Sequence, residues 1–440
     1  MERTIIKDTA AKADQKIKVA GWINTRRDHG ALVFLDLRDN SGILQVVCNS
    51  EMAENLKEED VISIEGEVKA RPKKMENPDL ETGKVELEAK NIELLSKAEP
   101  LPFALKDVPE VSLPVLLDFR PLTIRHEKIK SILRVKEEII DSFRTTMKSL
   151  GFFEFQAPAI VPVATEGGAE VFKIDYYGSS AYLAQSPQLY KQIMVGAFEK
   201  VFTIAKAYRA EPSVTTRHLS EYVSLDGEMG FINSWTDLID TCETIIKSIF
   251  KRVSQNCQKE LALFKAQLPL IGKAIPRVKM REAQQIIFER TKRDNRNEPD
   301  LTPDDEKEIC LWAKEKHNSD LVFITHYPTK KRPFYTHEDP QDPEYTLSFD
   351  ILCSGLEITT GGQRINEYEK LLANVKKWGN KPENFEFYLQ AFKYGMPPEG
   401  GFAFGAERIA KQILNLENLR EASAFPRDMG RIDSRLAEKK

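Results

Sequence analysis

Four segments of the chain carry residue types spaced so that they could act together on a charged substrate. In YRAE, Tyr208 to Glu211, Arg209 and Glu211 share one face of an alternating strand, because side chains repeat every second residue. The loop that follows, PSVTTRHLSE, adds Arg217 and His218, so basic groups bracket a hairpin tip that could clamp a polyphosphate through fixed guanidinium donors. A solvated hairpin with surface ion pairs reads equally well from this segment alone. In FDILCSGLEITTGGQR, residues 349–364, Asp350 and Glu357 emerge on one sheet face whether the turn centres on Cys353-Ser354 or on Ser354-Gly355. Two carboxylates so close are unfavourable without a cation, and Mg²⁺ binds through one or two carboxylates plus substrate phosphates. An ordinary exposed carboxylate pair is the competing reading. Gly361-Gly362 then permits close backbone approach before Arg364. In GGFAFGAERIAKQIL, residues 400–414, an apolar strand runs into a helix with Arg408 in its first turn. There a cation opposes the helix dipole unless it reaches for an anion. Glycine-loop phosphate motifs are absent from the sequence, so any phosphate must be held by arginines and metal.

These residues need a scaffold, and the patterning divides it in two. The chain has 440 residues, which exceeds one ordinary core. From Ile17 to Lys97, short alternating runs separated by turn residues predict five strands and a small OB-like barrel, with a fragment of a β-sandwich as the alternative. Prolines 100, 102, 109 and 114 forbid a continuous helix and suggest an extended linker. Beyond it, Ile129, Ile132, Leu133, Ile139, Ile140, Phe143, Met147 and Leu150 predict a long amphipathic helix ending at Gly151. Strands such as VFTIAKAYRAE, EYVSLDGEM, LVFITHYP and TLSFDILC alternate with helices near 236–260, 282–292, 303–317 and 366–378, the third with a box-like start at Thr302. The expected fold class is α+β: residues 1–97 form the barrel, 98–125 a hinge, and 126–440 a large domain on an antiparallel sheet flanked by helices.

Composition narrows the functional classes. A net charge of −4 with 30% charged residues gives no global field for nucleic acid, so an RNA site must be local. The five cysteines lack zinc spacing and read as reduced, buried thiols. No secretory h-region or apolar run of membrane-spanning length is present, which places the expected protein in the cytoplasm and off the membrane.

Taken in order, the segments resemble the three signature motifs of class II aminoacyl-tRNA synthetases, over nearly the whole chain. Motif 1 resembles residues 128–160 with Pro158, motif 2 is YRAEPSVTTRHLSE, and motif 3 is GGFAFGAER. The subgroup is the aspartyl/asparaginyl/lysyl one, whose anticodon-binding module the barrel resembles. ATEGG at 164–168, QSPQLYKQ at 185–192 and EITTGGQR at 357–364 resemble its aspartyl branch in the short, archaeal-like form. The stretch between motif 2 and the Asp350 hairpin is too short for the insertion domain of the usual bacterial form, yet WINTRRDHGALVFLDLRD resembles bacterial barrels. PLTIRHEKIK at 121–130 departs from the usual wording of the family.

The resemblance implies ATP-dependent activation of L-aspartate and its transfer to tRNA(Asp), with tRNA(Asn) as an open second acceptor. It implies that Arg209 contacts the aspartate carboxylate and α-phosphate and that Glu211 holds the adenine end. Ala210, Arg217, His218 and Leu219 would belong to the ATP loop, and Gly405, Ala406, Glu407 and Arg408 would complete the ATP site. Asp350 and Glu357, with Thr360, would bind Mg²⁺; Glu357 would also touch ATP, and Thr360 the aspartate. Glu166 would meet the α-ammonium, while Gln188, Lys191 and Arg364 would line the side-chain pocket. Two cations facing a carboxylate favour aspartate over asparagine, because the amide would leave a buried cation unpaired. Arg209 and Arg408 are the expected catalytic pair. On the barrel, Phe34, Gln45 and Arg38 are expected to face outward with Arg26 and Arg27 beside them, an anticodon surface on which a base could stack. Motif 1 implies a homodimer. The alternatives are an asparaginyl-tRNA synthetase, disfavoured by Lys191, a synthetase-like ligase that makes asparagine, and an RNA-binding paralogue without charging activity. Retention of Arg209, Arg217 and Arg408 argues against the last.

Overall fold

The computed structural model describes residues 1–164, 170–212 and 215–436. The chain separates into two compact units, Met1–Ala104 and Leu105–Lys440.

In the first unit, five strands close into a barrel: Lys16–His29, Leu32–Arg38, Ile43–Asn49, Val61–Ala70 and Val85–Ser96. Alternation explains the closure. Val19, Ile23, Val33, Leu35, Leu37, Leu44, Val46, Ile62, Ile64 and Leu87 are all fully buried and fill the barrel, while their neighbours in sequence point away. The barrel reading therefore replaces the sandwich alternative. The pairing of the first two strands shifts between Ile23 and Thr25, a bulge at Asn24.

The second unit is built on an eight-stranded sheet. Its order runs Arg277–Lys279, Leu321–Thr325, Ser348–Cys353, Leu356–Gln363, Glu399–Gly405, Glu221–Gly230, Lys200–Tyr208 and Phe153–Glu154. The pairings are antiparallel except at the two edges. Leu225, Phe349, Ile351, Phe402 and Phe404 form one core with Ile132, Val135, Ile139 and Phe143 of the helix Glu127–Ser149 and with Cys242, Ile246 and Ile249 of the helix Thr236–Asn256. Burying this periodic apolar stripe, at about 25 cal/mol per Å², is what holds the long helices to the sheet. Ser224, Asp226, Glu228, Asp350 and Thr360 alternate with those core residues, so the opposite face of the sheet is polar. The cysteines are free and buried, and no helix among the described residues is long and apolar enough to cross a membrane.

The expected hinge is extended only at its start. Leu105–Glu110, Leu113–Asp118 and Arg120–Thr123 are helical turns, each no longer than the prolines allow: Pro109 lies in a 3-10 turn, and Pro114 opens the second piece, where a missing N–H costs nothing. Arg120 ties the segment down through Nε to Ala424 O at 2.7 Å and Nη2 to Ser423 O at 2.6 Å. His126, in the stretch that departs from the family, caps the long helix by accepting from Lys128 N at 3.1 Å. The helix Pro303–His317 begins with a true capping box between Thr302 and Asp305. Among the elements unread in the sequence are the helices Gln188–Phe198 and Glu386–Lys393 and a three-stranded sheet of Ile160–Val161, Lys173–Tyr176 and Ser179–Leu183.

Candidate active site

The polar sheet face opens into a cleft of about 420 Å³, and most of the expected residues line it: Gln188, Lys191, Arg209, Glu211, Arg217, His218, Leu219, Glu357, Thr360, Arg364, Gly405, Glu407 and Arg408. Ala210, Asp350 and Ala406 do not line it; Ala210 N donates to Glu170 O at 3.1 Å, Asp350 is buried against Arg332, and Ala406 is buried at the start of the helix Ala406–Leu414. Glu166, with Thr165, Gly167 and Gly168, lies outside the described residues.

At the floor, Lys191 and Gln188 sit one helical turn apart on Gln188–Phe198, whose N-terminal end meets the strand Glu221–Gly230. Lys191 is 1% exposed, and its Nζ lies 3.1 Å from Asp226 Oδ1 and 3.0 Å from Glu228 Oε2, with Phe402 O at 3.2 Å. Arg364 Nε donates to Glu228 Oε1 at 2.8 Å and Nη2 to Gln188 Oε1 at 3.2 Å. The two cations thus converge as expected, but neither stands alone: a carboxylate pair missed in the sequence faces them. The signal was present in EYVSLDGEM, where Asp226 and Glu228 are spaced two apart in an otherwise apolar strand. Burial opposes the charge on Glu228, yet Arg364 and Lys191 overcome it and hold the carboxyl below its usual range. Gly401 makes the arrangement possible, since a Cβ there would lie 1.9 Å from Glu228 Oε2.

Along the wall, the Asp350 hairpin turns at Ser354-Gly355, both with positive φ (47° and 84°), which settles the turn left open above. Asp350 pairs across the ladder with Thr360, and Glu357 sits on the same face. The expected bare carboxylate pair is corrected in one respect: each member already has an arginine. Arg332 Nη2 donates to Asp350 Oδ1 at 2.8 Å and Nη1 to Thr360 Oγ1 at 3.1 Å, while Arg408 Nη1 lies 3.2 Å from Glu357 Oε1. Arg332 follows a 3-10 turn, Thr329–Lys331, that carried no readable pattern. Burial raises the Asp350 carboxyl; Arg332 opposes that and Glu357 adds to it. Among the described residues, no cluster of three or more His, Cys, Asp or Glu could hold a metal by protein ligands alone.

At the mouth, Arg209 packs over Tyr222, 5.7 Å from the ring centre, and stands 3.7 Å from Glu211. Glu211 in turn lies 3.6 Å from His218 Nε2. Burial, together with Arg408, Arg217 and Arg209, outweighs Glu211 and lowers the His218 pKa, favouring a neutral imidazole at neutral pH. Arg217 pairs with Glu306 of the helix Pro303–His317 and donates to Gly355 O at 3.4 Å. Glu306 is pushed up to about 7 by burial, against the pull of Arg217.

On the barrel, Arg27 pairs across from Phe34, and its Nη2 reaches Asp36 at 2.8 Å and Gln45 at 3.3 Å, so these residues share one outward face. Arg26 does not join them. The bulge at Asn24 sets it opposite Leu35, and its Nη1 donates to Ala53 O at 2.6 Å and Leu56 O at 2.7 Å. Arg38, expected outward, is buried against Glu59 at 2.8 Å.

Comparison with known proteins gives the same partition. Residues 112–429 match the family of class II tRNA synthetases (D, K and N), and residues 17–95 match the OB-fold nucleic acid binding domain. The aspartate–tRNA(Asp/Asn) ligase of Deinococcus radiodurans is 40% identical over 439 residues, 98% of this chain and 99% of that protein. The aspartate–tRNA(Asp) ligase of Pyrococcus abyssi is 37% identical over 95% of this chain and 96% of its own length. Among solved structures, asparaginyl-tRNA synthetase from Pyrococcus horikoshii complexed with asparaginyl-adenylate superposes with a TM-score of 0.89 at 30% identity, covering 98% of this chain and 99% of that one. Aspartyl-tRNA synthetase from Entamoeba histolytica gives 0.86 at 28%, over 98% and 93%.

Proposed function

Because the chain belongs to the class II tRNA synthetases of the D, K and N group, we propose that the cleft activates L-aspartate with ATP and that the enzyme transfers it to tRNA(Asp) as an aspartate–tRNA ligase. The observation that carries the choice of amino acid is the convergence of Lys191 and Arg364 on one floor. A side-chain carboxylate meets both as charge-assisted bonds of about 1.5–3 kcal/mol each, whereas an amide offers them no charge.

The reaction needs no covalent nucleophile. The α-carboxylate of aspartate attacks the α-phosphorus of ATP in line, a P–O bond forms as the bond to the β-phosphate oxygen breaks, and pyrophosphate departs. Arg209 at the mouth and Arg408 beside Glu357 stabilise the charge that develops on phosphate. Asp350 and Glu357 are the residues that would hold Mg²⁺, which when bound neutralises phosphate charge. The terminal ribose hydroxyl of tRNA then attacks the acyl carbon, forming the ester and releasing AMP. Arg27, Phe34 and Gln45 form the part of the barrel that meets the anticodon. The enzyme works in the cytoplasm as a homodimer, which light scattering at micromolar concentration tests.

Charging of tRNA(Asn) as well is a second reading, favoured by the Deinococcus relative named for both tRNAs. ATP–pyrophosphate exchange with aspartate and with asparagine, followed by charging of the two transcripts, separates the readings. Exchange with asparagine and none with aspartate would overturn the assignment.

A further inference from the structure

The floor of the cleft holds a third carboxylate that does not line it. Glu399 is fully buried; its Oε1 accepts from Gln192 Nε2 at 2.7 Å, and its Oε2 has no hydrogen-bond partner among the described residues. That single bond fixes how the Gln192 amide is turned. With its NH₂ committed to Glu399, its oxygen faces Tyr388 Oη at 3.1 Å and Gln188 Nε2 at 3.0 Å, and accepts from both. The Gln188 amide is oriented in turn: its NH₂ faces Gln192, and its oxygen accepts from Arg364 Nη2 at 3.2 Å. Arg364 can only donate, which gives the relay its direction, with Glu399 at its head as the terminal acceptor; the Gln188 NH₂ also lies 3.4 and 3.5 Å from the two Glu228 carboxylate oxygens, which support the same orientation. The main chain reinforces it, for Arg364 N donates to Glu399 O at 2.9 Å.

We propose that Glu399 is a positioning residue for recognition of the substrate side chain: through Gln192 and Gln188 it sets the direction in which the Arg364 guanidinium faces the cleft. The inference rests on the functional reading above and extends it behind the substrate pocket. A charge count supports a role as hydrogen-bond acceptor. Lys191 and Arg364 already balance Asp226 and Glu228, so an ionised Glu399 would leave the floor net negative against an incoming carboxylate. Burial and the neighbouring Glu228 drive the Glu399 carboxyl well above its usual range, against Gln192, Arg364 and Lys191. Besides those groups, Tyr388 is the titratable side chain that faces it.

The test is ATP–pyrophosphate exchange on the full chain, varying the amino acid and ATP separately. Wild-type exchange with aspartate and asparagine scores the functional reading first, and each variant is then measured with the amino acid that the wild type activates. Glu399→Gln keeps the acceptor and is expected to stay within about twofold of wild type. Glu399→Leu breaks the relay at its head, and Gln192→Leu breaks it while leaving the carboxyl in place. Each should raise the KM for the amino acid about tenfold, the worth of one buried hydrogen bond, with the KM for ATP unchanged. Three results overturn the proposal: an unchanged amino-acid KM in a folded Leu variant, equal rises in both KM values, or a Glu399→Gln variant as impaired as Glu399→Leu. Should Glu399→Leu not fold, Gln192→Leu decides.

Discussion

Lys191 Nζ stands 3.0 Å from Glu228 Oε2, so the cation expected to read the substrate is already held by the protein's own carboxylate. Such pairing holds the ammonium in one direction in a site that is 1% exposed. Lys191→Met should therefore do two things at once. It removes aspartate-dependent exchange, and it leaves Asp226 and Glu228 with Arg364 as their remaining cation. Breaking a buried pair in this way costs about 3–5 kcal/mol. Urea unfolding measures the second effect, and wild-type stability in the variant would contradict the pairing.

Arg209 provides the contrast, because its side chain is 42% exposed and its pairing with Glu211 is loose at 3.7 Å. Exposed pairs contribute less than about 1 kcal/mol, so Arg209→Ala should melt close to wild type. Loss of a transition-state donor should nonetheless lower exchange by roughly 10²–10³-fold or more. Near-normal exchange in this variant would sink the assignment of Arg209 to the α-phosphate.

Why some of this was legible in the sequence and some not follows from range. The barrel, the long helices and the box at Thr302 depend on period and local capping, which a sequence displays directly. Asp350 and Glu357 could be placed on one face because Asp350 alternates with Leu352, which pairs with Glu357 next to the turn, before the register shift that brings Thr360 opposite Asp350. Arg26 went astray because adjacent strand residues face opposite sides, and the bulge at Asn24, which nothing in WINTRRD marks, sets Arg27 rather than Arg26 beside Phe34. Arg332 and Glu306 were missed because each meets its partner from an element distant in sequence, whereas Glu399 directly precedes GGFAFGAER and only its partner Gln192, far away in the chain, shows its role.

On the barrel, Phe34 sits half-buried across from Arg27, with His29 edge-on at 5.5 Å. Stacking on an unpaired base contributes about 1–3 kcal/mol, so Phe34→Ala should weaken tRNA binding by roughly 5- to 150-fold. Exchange without tRNA should be unaffected, since the described residues that line the cleft all belong to the second unit. Arg26→Ala should instead lower barrel stability, through the lost bonds to Ala53 O and Leu56 O. Filter binding alongside thermal melting distinguishes the two, and a Phe34→Ala variant that binds tRNA normally would remove Phe34 from the anticodon surface.

Glu306 gives a pH signature. Its carboxyl is pushed up to about 7 in the folded chain, chiefly by burial, from an ordinary value of 4.5. Between those values the folded state keeps a proton that the unfolded state has released, so this group makes stability fall as pH rises from about 4.5 to 7 and level off above. Glu306→Gln deletes that slope, and the variant should be the more stable of the two at pH 8. The same change removes the charge that holds Arg217 at the cleft wall, so the KM for ATP should rise several-fold while the KM for the amino acid stays put. Unfolding midpoints across pH 5 to 8, paired with exchange at varied ATP, test both consequences. A variant that keeps the wild-type pH slope would show that another group carries the proton.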